Sequence, residues 1–218
     1  MGVAYDRAFN FYYPADLQAL QAAGAELIWI DMLAAQQLPE RLDGLFIGGG
    51  FPERHAAQLA ANSSMRRSIQ AAALAGLPIY AECGGLIYLC RNLDTGQGIY
   101  PMAGVFPIDL QMHPQPQGHG YVRLQITAAA PWSAAPRGTT ELPAHEFHYS
   151  RITTPQLTPE ELGIPCAYRI RGGSGLGNGY DGLVVANTLA SYVHLRHTAA
   201  CPWVDGFMAF VTMTSRHL

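Results

Sequence analysis

The sequence predicts an α/β fold, with a mostly parallel sheet covered by helices and additional β structure in the second half. Three observations predict it. Short apolar runs alternate with helix-periodic stretches over the first 93 residues, the pattern of a parallel sheet with helices on both faces. Two of those runs end in glycine clusters, Gly48-Gly49-Gly50 and Gly84-Gly85. Beyond this region Gly and Pro become frequent and short β-like runs dominate.

Residues 2–5 start as a short strand. Pro14 opens PADLQALQAAG, with Leu17 and Leu20 at helical spacing and Gly24 as the stop. ELIWI (26–30) reads as a buried strand, and GLFI (44–47) as the next, running into the three glycines. Residues 53–61 and 63–75 are Ala-rich helical stretches divided by Asn62-Ser63-Ser64, an N-cap cluster. PIYA (78–81) is a further strand; Glu82-Cys83-Gly84-Gly85 breaks it, and LIYLCRNL continues as a helix. Strands are expected near 103–107, 121–126, 145–151, 166–171 and 181–186, and a last helix over 203–214. Residues 128–142 and 172–180 read as loops, with RGGSGLGNGY the most flexible stretch. No repeat and no linker marks a boundary, so 1–218 is expected to be one domain.

Composition narrows the function classes. Hydrophobic residues make up 49% and charged residues 13%, the reverse of what keeps a chain disordered. The net charge is −3, from 16 acidic and 13 basic residues, so no basic excess exists to neutralise nucleic-acid phosphates. Every basic residue is Arg. The absence of Lys excludes a Walker-A lysine, a Schiff-base lysine and a Ser–Lys dyad. The chain by itself therefore holds no ATP in a standard P-loop. Cys83, Cys90, Cys166 and Cys201 match no zinc-finger spacing and are too few for a disulfide scaffold. MGVAYDRAFNFYY lacks a signal-peptide apolar core, Asp6 spoils a myristoylation pattern, and no run of 18 apolar residues exists. The expectation is a cytoplasmic protein with neither a membrane nor a nucleic-acid partner.

The residues that carry chemistry are few. In IYAECGGLIYL a cysteine sits at a sharp strand-to-helix turn. Such a turn lifts the sulfur above the carboxyl edge of a parallel sheet, where open α/β folds place their ligands. The helix N-terminus beyond it favours thiolate, and the glycines permit the turn and leave the Gly84 N–H for an oxyanion. The bland alternative is a buried structural cysteine. Gly48-Gly49-Gly50-Phe51-Pro52-Glu53 follows a strand. It reads as a loop whose N–H groups face an anion or as a plain turn; G-x-G-x-x-G and a following Lys are both missing. The base must come from His55, His113, His119, His145, His148, His194, His197 or His217. His194, in ASYVHLRH after a strand, is the choice, since a Cys–His pair meets in space rather than in sequence. HEFH (145–148) is H-E-x-H in a β-like run, not H-E-x-x-H; its histidines fall on opposite faces, which argues against zinc.

The order GGGFPE, AECGGLIYL, AGVFP, HEFHYSR and ASYVHL, after DRAFNFYYPADLQALQAAGAEL, resembles the glutaminase domain of the cobyrinate a,c-diamide synthase family. The likeness covers about residues 2–212. It implies a class I glutamine amidotransferase with a flavodoxin-like core. It implies Cys83 as the nucleophile on the glutamine side-chain amide, His194 as its base, and an oxyanion hole from Gly84 and the Gly49–Gly50 loop. No metal or other cofactor is implied in this chain. ATP and Mg²⁺ belong to an N-terminal synthetase domain, absent here and either removed or supplied as a partner. Ammonia would there amidate the a- and c-acetates of a corrinoid.

Three departures stand out. No synthetase segment or lysine is present. The position two after His194, often Glu in amidotransferases, is Arg196, leaving the third triad member to His197 or a distant carboxylate. Ala144 replaces the family's glycine before HEFHYS. Alternatives are a docking module without catalysis, another cysteine hydrolase or isomerase, and a glutaminase for cobyrate or nickel-sirohydrochlorin diamide synthase. Oligomeric state, a homodimer included, stays open.

Overall fold

The computed structural model describes residues 1–136, 138–139, 141–153, 161 and 163–215. Its first half runs β1 (Gly2–Ala4), β2 (Phe9–Phe11), α1 (Pro14–Ala22), β3 (Ile28–Ile30), β4 (Leu45–Ile47) and β5 (Gly49–Gly50). A 3-10 turn (Pro52–His55) leads into α2 (Ala56–Ala61), α3 (Ser63–Leu74), β6 (Ile79–Glu82) and α4 (Gly84–Leu89). There follow β7 (Asn92–Asp94), β8 (Ile99–Pro101), β9 (Asp109–Met112), β10 (Gly118–Ile126), β11 (Glu141–His148) and β12 (Ser150–Ile152). The chain ends with β13 (Cys166–Arg171), β14 (Tyr180–Val185), β15 (Thr188–Ser191), β16 (Val193–His194) and α5 (Trp203–Ser215).

Five strands pair in parallel in the order β3-β1-β4-β6-β15, the second, first, third, fourth and fifth of the set in chain order. That is the flavodoxin-like winding, with ligand sites outside the carboxyl ends. Both faces are covered, so β1, β4 and β6 are apolar at nearly every position. Alternate side chains divide between two cores: Leu45, Ile47, Ile79 and Ala81 meet Met65 and Ile69 of α3, whereas Phe46 and Tyr80 meet Trp203 and Phe207 of α5.

The second half continues the same sheet antiparallel through β14, β13, β10 and β11 to β16. The stretch Thr188–His194 bends at Tyr192: β15 pairs with β14 and β6, while β16 pairs with β11, His145 opposite His194. The sheet therefore curls back on itself beside the carboxyl ends of the parallel strands.

Several expectations need correction. Residues 103–107 form no strand. The backbone N–H groups of Ala103, Phe106 and Gly104 donate to Tyr88, Leu89 and Cys90 carbonyls at 2.8, 3.0 and 2.8 Å, capping the last turn of α4. That helix stops at Leu89 instead of running through LIYLCRNL, and Asn92–Asp94 joins a separate sheet ordered β12-β9-β7-β8. The strand placed at 145–151 begins at Glu141 and breaks at Tyr149. The 172–180 loop is tethered: Ser174 and Gly175 N–H groups donate to the buried Glu146 carboxylate at 2.7 and 2.8 Å.

Candidate active site

Cys83 is the residue between β6 and α4, with φ 47° and ψ −96°. Positive φ is costly for a residue with a Cβ and persists where surroundings enforce it. Here they do. The Cys83 N–H donates to Ser191 O at 2.7 Å, tying the elbow to the end of β15. A Cβ on Gly85 would lie 2.2 Å from Ile47 O, so only glycine lets α4 start this close to β4. The Cys83 thiol donates to Phe147 O at 3.5 Å, and the residue is 7% exposed.

The glycine loop lies against this elbow. A Cβ on Gly84 would be 3.0 Å from Gly50 N, and one on Gly50 would be 2.0 Å from Ala8 O. β2 and β5 pair through Phe9–Gly50 and Phe11–Gly49. The Gly48 N–H donates to the Tyr12 hydroxyl at 2.9 Å, and that hydroxyl donates to Ala4 O. Tyr12 thus holds the loop to the end of β1. A Cβ on Gly49 would sit 2.7 Å from His194 Cε1.

His194 is buried and enclosed on several sides. Phe11 meets its ring edge-on at 5.1 Å, and His145 stacks on it at 4.9 Å and 15°. Its Nδ1 faces Glu82 Oε2 at 3.4 Å. Burial pulls the imidazole pKa down, but contacts with Cys83 and Glu82 outweigh it and push the pKa up to about 10. An imidazole held this way beside a thiol can take its proton and stay charged next to the resulting thiolate. His145 moves the opposite way: burial, then the neighbouring His194 charge, hold it below the usual histidine range. Its ring nitrogens lie 3.3 and 3.5 Å from the Tyr13 hydroxyl. A cavity of about 460 Å³ opens here, lined by Tyr13, Tyr121, His145, Phe147, His194 and Arg196 among others.

All five residues singled out from the sequence, Cys83, His194, Gly49, Gly50 and Gly84, therefore converge. His197 does not join them. Its N–H donates to Asp16 Oδ1 at 2.8 Å and its Nδ1 accepts from Val204 N at 3.4 Å, at the start of α5. Sequence reasoning did not bring Glu82, Tyr13 or Phe11 to the site, and it weighed His145 only as a candidate base or zinc ligand. Glu82 had a legible signal, an acid at the end of an otherwise apolar strand. The others had none, because only the curl of the sheet brings them to His194. The two histidines of HEFH part ways: His145 lines the cavity, while His148 is buried with its Nδ1 donating to Ser150 O at 2.9 Å. Among the described residues no group of three or more His, Cys, Asp or Glu could hold a metal ion, and no helix is long and apolar enough to cross a membrane. His217 lies outside the described residues.

Residues 1–200 match the model of the CobB/CobQ-like glutamine amidotransferase domain. The chain is 41% identical over 210 residues to cobyrinate a,c-diamide synthase of Magnetococcus marinus, covering 96% of this chain and 43% of that protein. It is 41% identical over 208 residues to the enzyme of the same name from Methanosarcina barkeri, covering 91% and 41%. The chain thus spans about two-fifths of the length of these relatives. Among solved structures, one described as a glutamine amidotransferase superposes with a TM-score of 0.66 at 16% identity, covering 97% of this chain and 98% of that one. PurLQS from Thermotoga maritima superposes with 0.63 at 15%, covering 98% and 95%. At such identities the structural likeness speaks to the fold.

Proposed function

Because the chain belongs to the CobB/CobQ-like glutamine amidotransferase domain family, we propose that it hydrolyses glutamine at Cys83 and supplies the ammonia for amidating the a- and c-acetate carboxylates of cobyrinate. The observation that carries this reading is the strained Cys83 elbow packed against the glycine loop and beside the buried His194. The names of the relatives favour this acceptor over other tetrapyrroles. Amidation itself takes place in the ATP- and Mg²⁺-dependent synthetase part of the whole enzyme, as a domain or a partner subunit.

The thiol proton of Cys83 passes to His194, and the sulfur attacks the carboxamide carbon of glutamine. The carbonyl oxygen becomes an oxyanion beside the backbone N–H groups of Gly84 and the Gly49–Gly50 loop; loss of one such donor costs about 10²–10³ in rate. As the C–N bond breaks, protonated His194 gives its proton to the leaving nitrogen, and ammonia departs from a γ-glutamyl thioester. His194, now neutral, takes a proton from water as its oxygen attacks the thioester. Collapse breaks the C–S bond, releases glutamate and returns the proton to the sulfur.

The test is covalent trapping by a diazoketone analogue of glutamine, read by peptide mass spectrometry, with ammonia release measured in parallel. Cys83 alone should be modified, and Cys83→Ala should release no ammonia above background. Modification of a different cysteine, or a Cys83→Ala protein as active as the parent, would refute the reading.

A further inference from the structure

We propose that Glu82, the residue immediately before the nucleophile, is the positioning acid of the site, holding the Nδ1 proton of His194 so that Nε2 is left to the thiol. The inference deepens the proposed function and rests on Cys83 and His194 being the reacting pair.

The buried carboxylates among the described residues are Asp16, Glu82, Glu146 and Asp181, and their partners separate them. Asp16 accepts from His197 N and Trp203 Nε1. Asp181 accepts from Gly182, Tyr192 and Val193 N–H groups. Glu146 accepts from Ser174 and Gly175 N–H groups, one on each oxygen. Glu146 Oε2 also faces a ring, but that of His148, whose Nε2 lies 3.6 Å away; none of these three faces His194. In Glu82 Oε1 is engaged by the Tyr80 hydroxyl at 2.5 Å and the Leu195 N–H at 2.8 Å. Its Oε2 faces His194 Nδ1 at 3.4 Å, and that buried nitrogen has no hydrogen-bond partner; catalytic hydrogen bonds are often this long before substrate binds.

The carboxylate therefore holds the backbone of the residue after His194 through Oε1 and faces the ring with Oε2. β6 and β15 run parallel with Glu82 opposite Ser191, which sets Glu82 beside the bend that carries His194. The elbow then turns the following side chain, Cys83, toward the same imidazole. Two consecutive residues so supply the acid and the nucleophile. Arg196, at the position where other amidotransferases carry an acid, lies over the Tyr13 ring at 5.5 Å. The titratable groups facing the imidazole are Glu82 from β6, Cys83 at the elbow and His145 from β11.

A neutral amide at position 82 keeps the bulk and an acceptor for Leu195 but presents no charge to Nδ1. It favours the wrong tautomer or a ring that releases its proton early. The measurement is the rate of Cys83 alkylation by iodoacetamide against pH, in the full chain, for the parent and Glu82→Gln, with kcat and KM for glutamine alongside. In the parent, alkylation should remain fast well below the pH at which a free thiol loses reactivity. In Glu82→Gln that acid limb should move upward, the rate at neutral pH should fall about 10-fold or more, and kcat should fall about 10²-fold or more with little change in KM. A parent whose Cys83 reacts like a free thiol would sink the proposed function. A fast-reacting parent with an identical profile in folded Glu82→Gln would overturn only the role of Glu82. If the variant does not fold, ¹⁵N-histidine spectra of the parent decide: a protonated Nδ1 on His194 supports the assignment, and a bare Nδ1 near neutral pH overturns it.

Discussion

Gly49→Ala tests the geometry with one methyl group. The added Cβ would lie 2.7 Å from His194 Cε1 and 3.3 Å from Cβ and Cδ1 of Phe11. Ordinary contact starts at 3.4 Å, so the ring has to retreat by 3.4 − 2.7 = 0.7 Å. It has little room: His145 is stacked at 4.9 Å, Phe11 packs at 5.1 Å, and Glu82 sits at 3.4 Å from Nδ1. Nor can the loop back away, because Gly49 pairs with Phe11 and the Gly48 N–H is bonded to Tyr12. Overpacking of this kind costs about 1–3 kcal/mol, which at about 2–4 °C per kcal/mol for a chain of this size lowers Tm by about 2–12 °C. Displacing a base by a sizeable fraction of an ångström costs up to about 10²-fold in rate. Thermal unfolding, Cys83 alkylation and ammonia release from glutamine read the two effects. Gly98→Ala is the control, since a Cβ there meets nothing closer than 3.4 Å, and it should match the parent. A Gly49→Ala protein with the parent's Tm and undiminished Cys83 reactivity would refute the reasoning.

Two pH predictions follow from buried groups. Burial opposes the charged imidazole of His194, and contact with Cys83 is the first of the opposing influences that bring it to about 10. Its contribution to stability is complete below the ordinary histidine pKa and is lost as pH rises through about 10. In Cys83→Ala the midpoint of His194, followed by its C2–H resonance, should fall; a midpoint as high as in the parent would show that the thiol does not sustain the charge. Asp181 has the same sign of pH dependence, at lower pH and with the neutral rather than the charged form favoured by folding. Burial outweighs its three backbone donors and pushes the carboxyl up to about 6. The native state then keeps a proton that the unfolded chain gives up near pH 4, so stability relative to Asp181→Asn falls as pH rises from about 4 to about 6 and is level above. Two pKa units correspond to a change of about 3 kcal/mol. Denaturant unfolding across pH 4–7 measures it, and a pH-independent difference between the two proteins would contradict it.

The amino-acid sequence alone determined the local parts. Apolar runs placed four of the five parallel strands but not Thr188–Ser191, Pro14 opened α1, and Asn62 capped α3 by accepting from Met65 N at 3.3 Å. AECGG announced a cysteine elbow and GGGFPE a close-approach loop, because a turn that only glycine tolerates leaves its mark within a few residues. The tertiary structure alone decided how those parts meet. Residues 103–107 look strand-like, yet the N–H groups of Ala103, Gly104 and Phe106 cap the end of α4, and no local pattern distinguishes a buried extended segment from a strand. Glu82 reaches Leu195 across 113 positions of chain, and His145 lies opposite His194 through the β11–β16 pair. Propensity and periodicity act over a few residues. The partner of a buried acid or an imidazole is instead set by long-range strand pairing, here by the bend at Tyr192 that puts one stretch of chain into both the middle and one edge of a curled sheet.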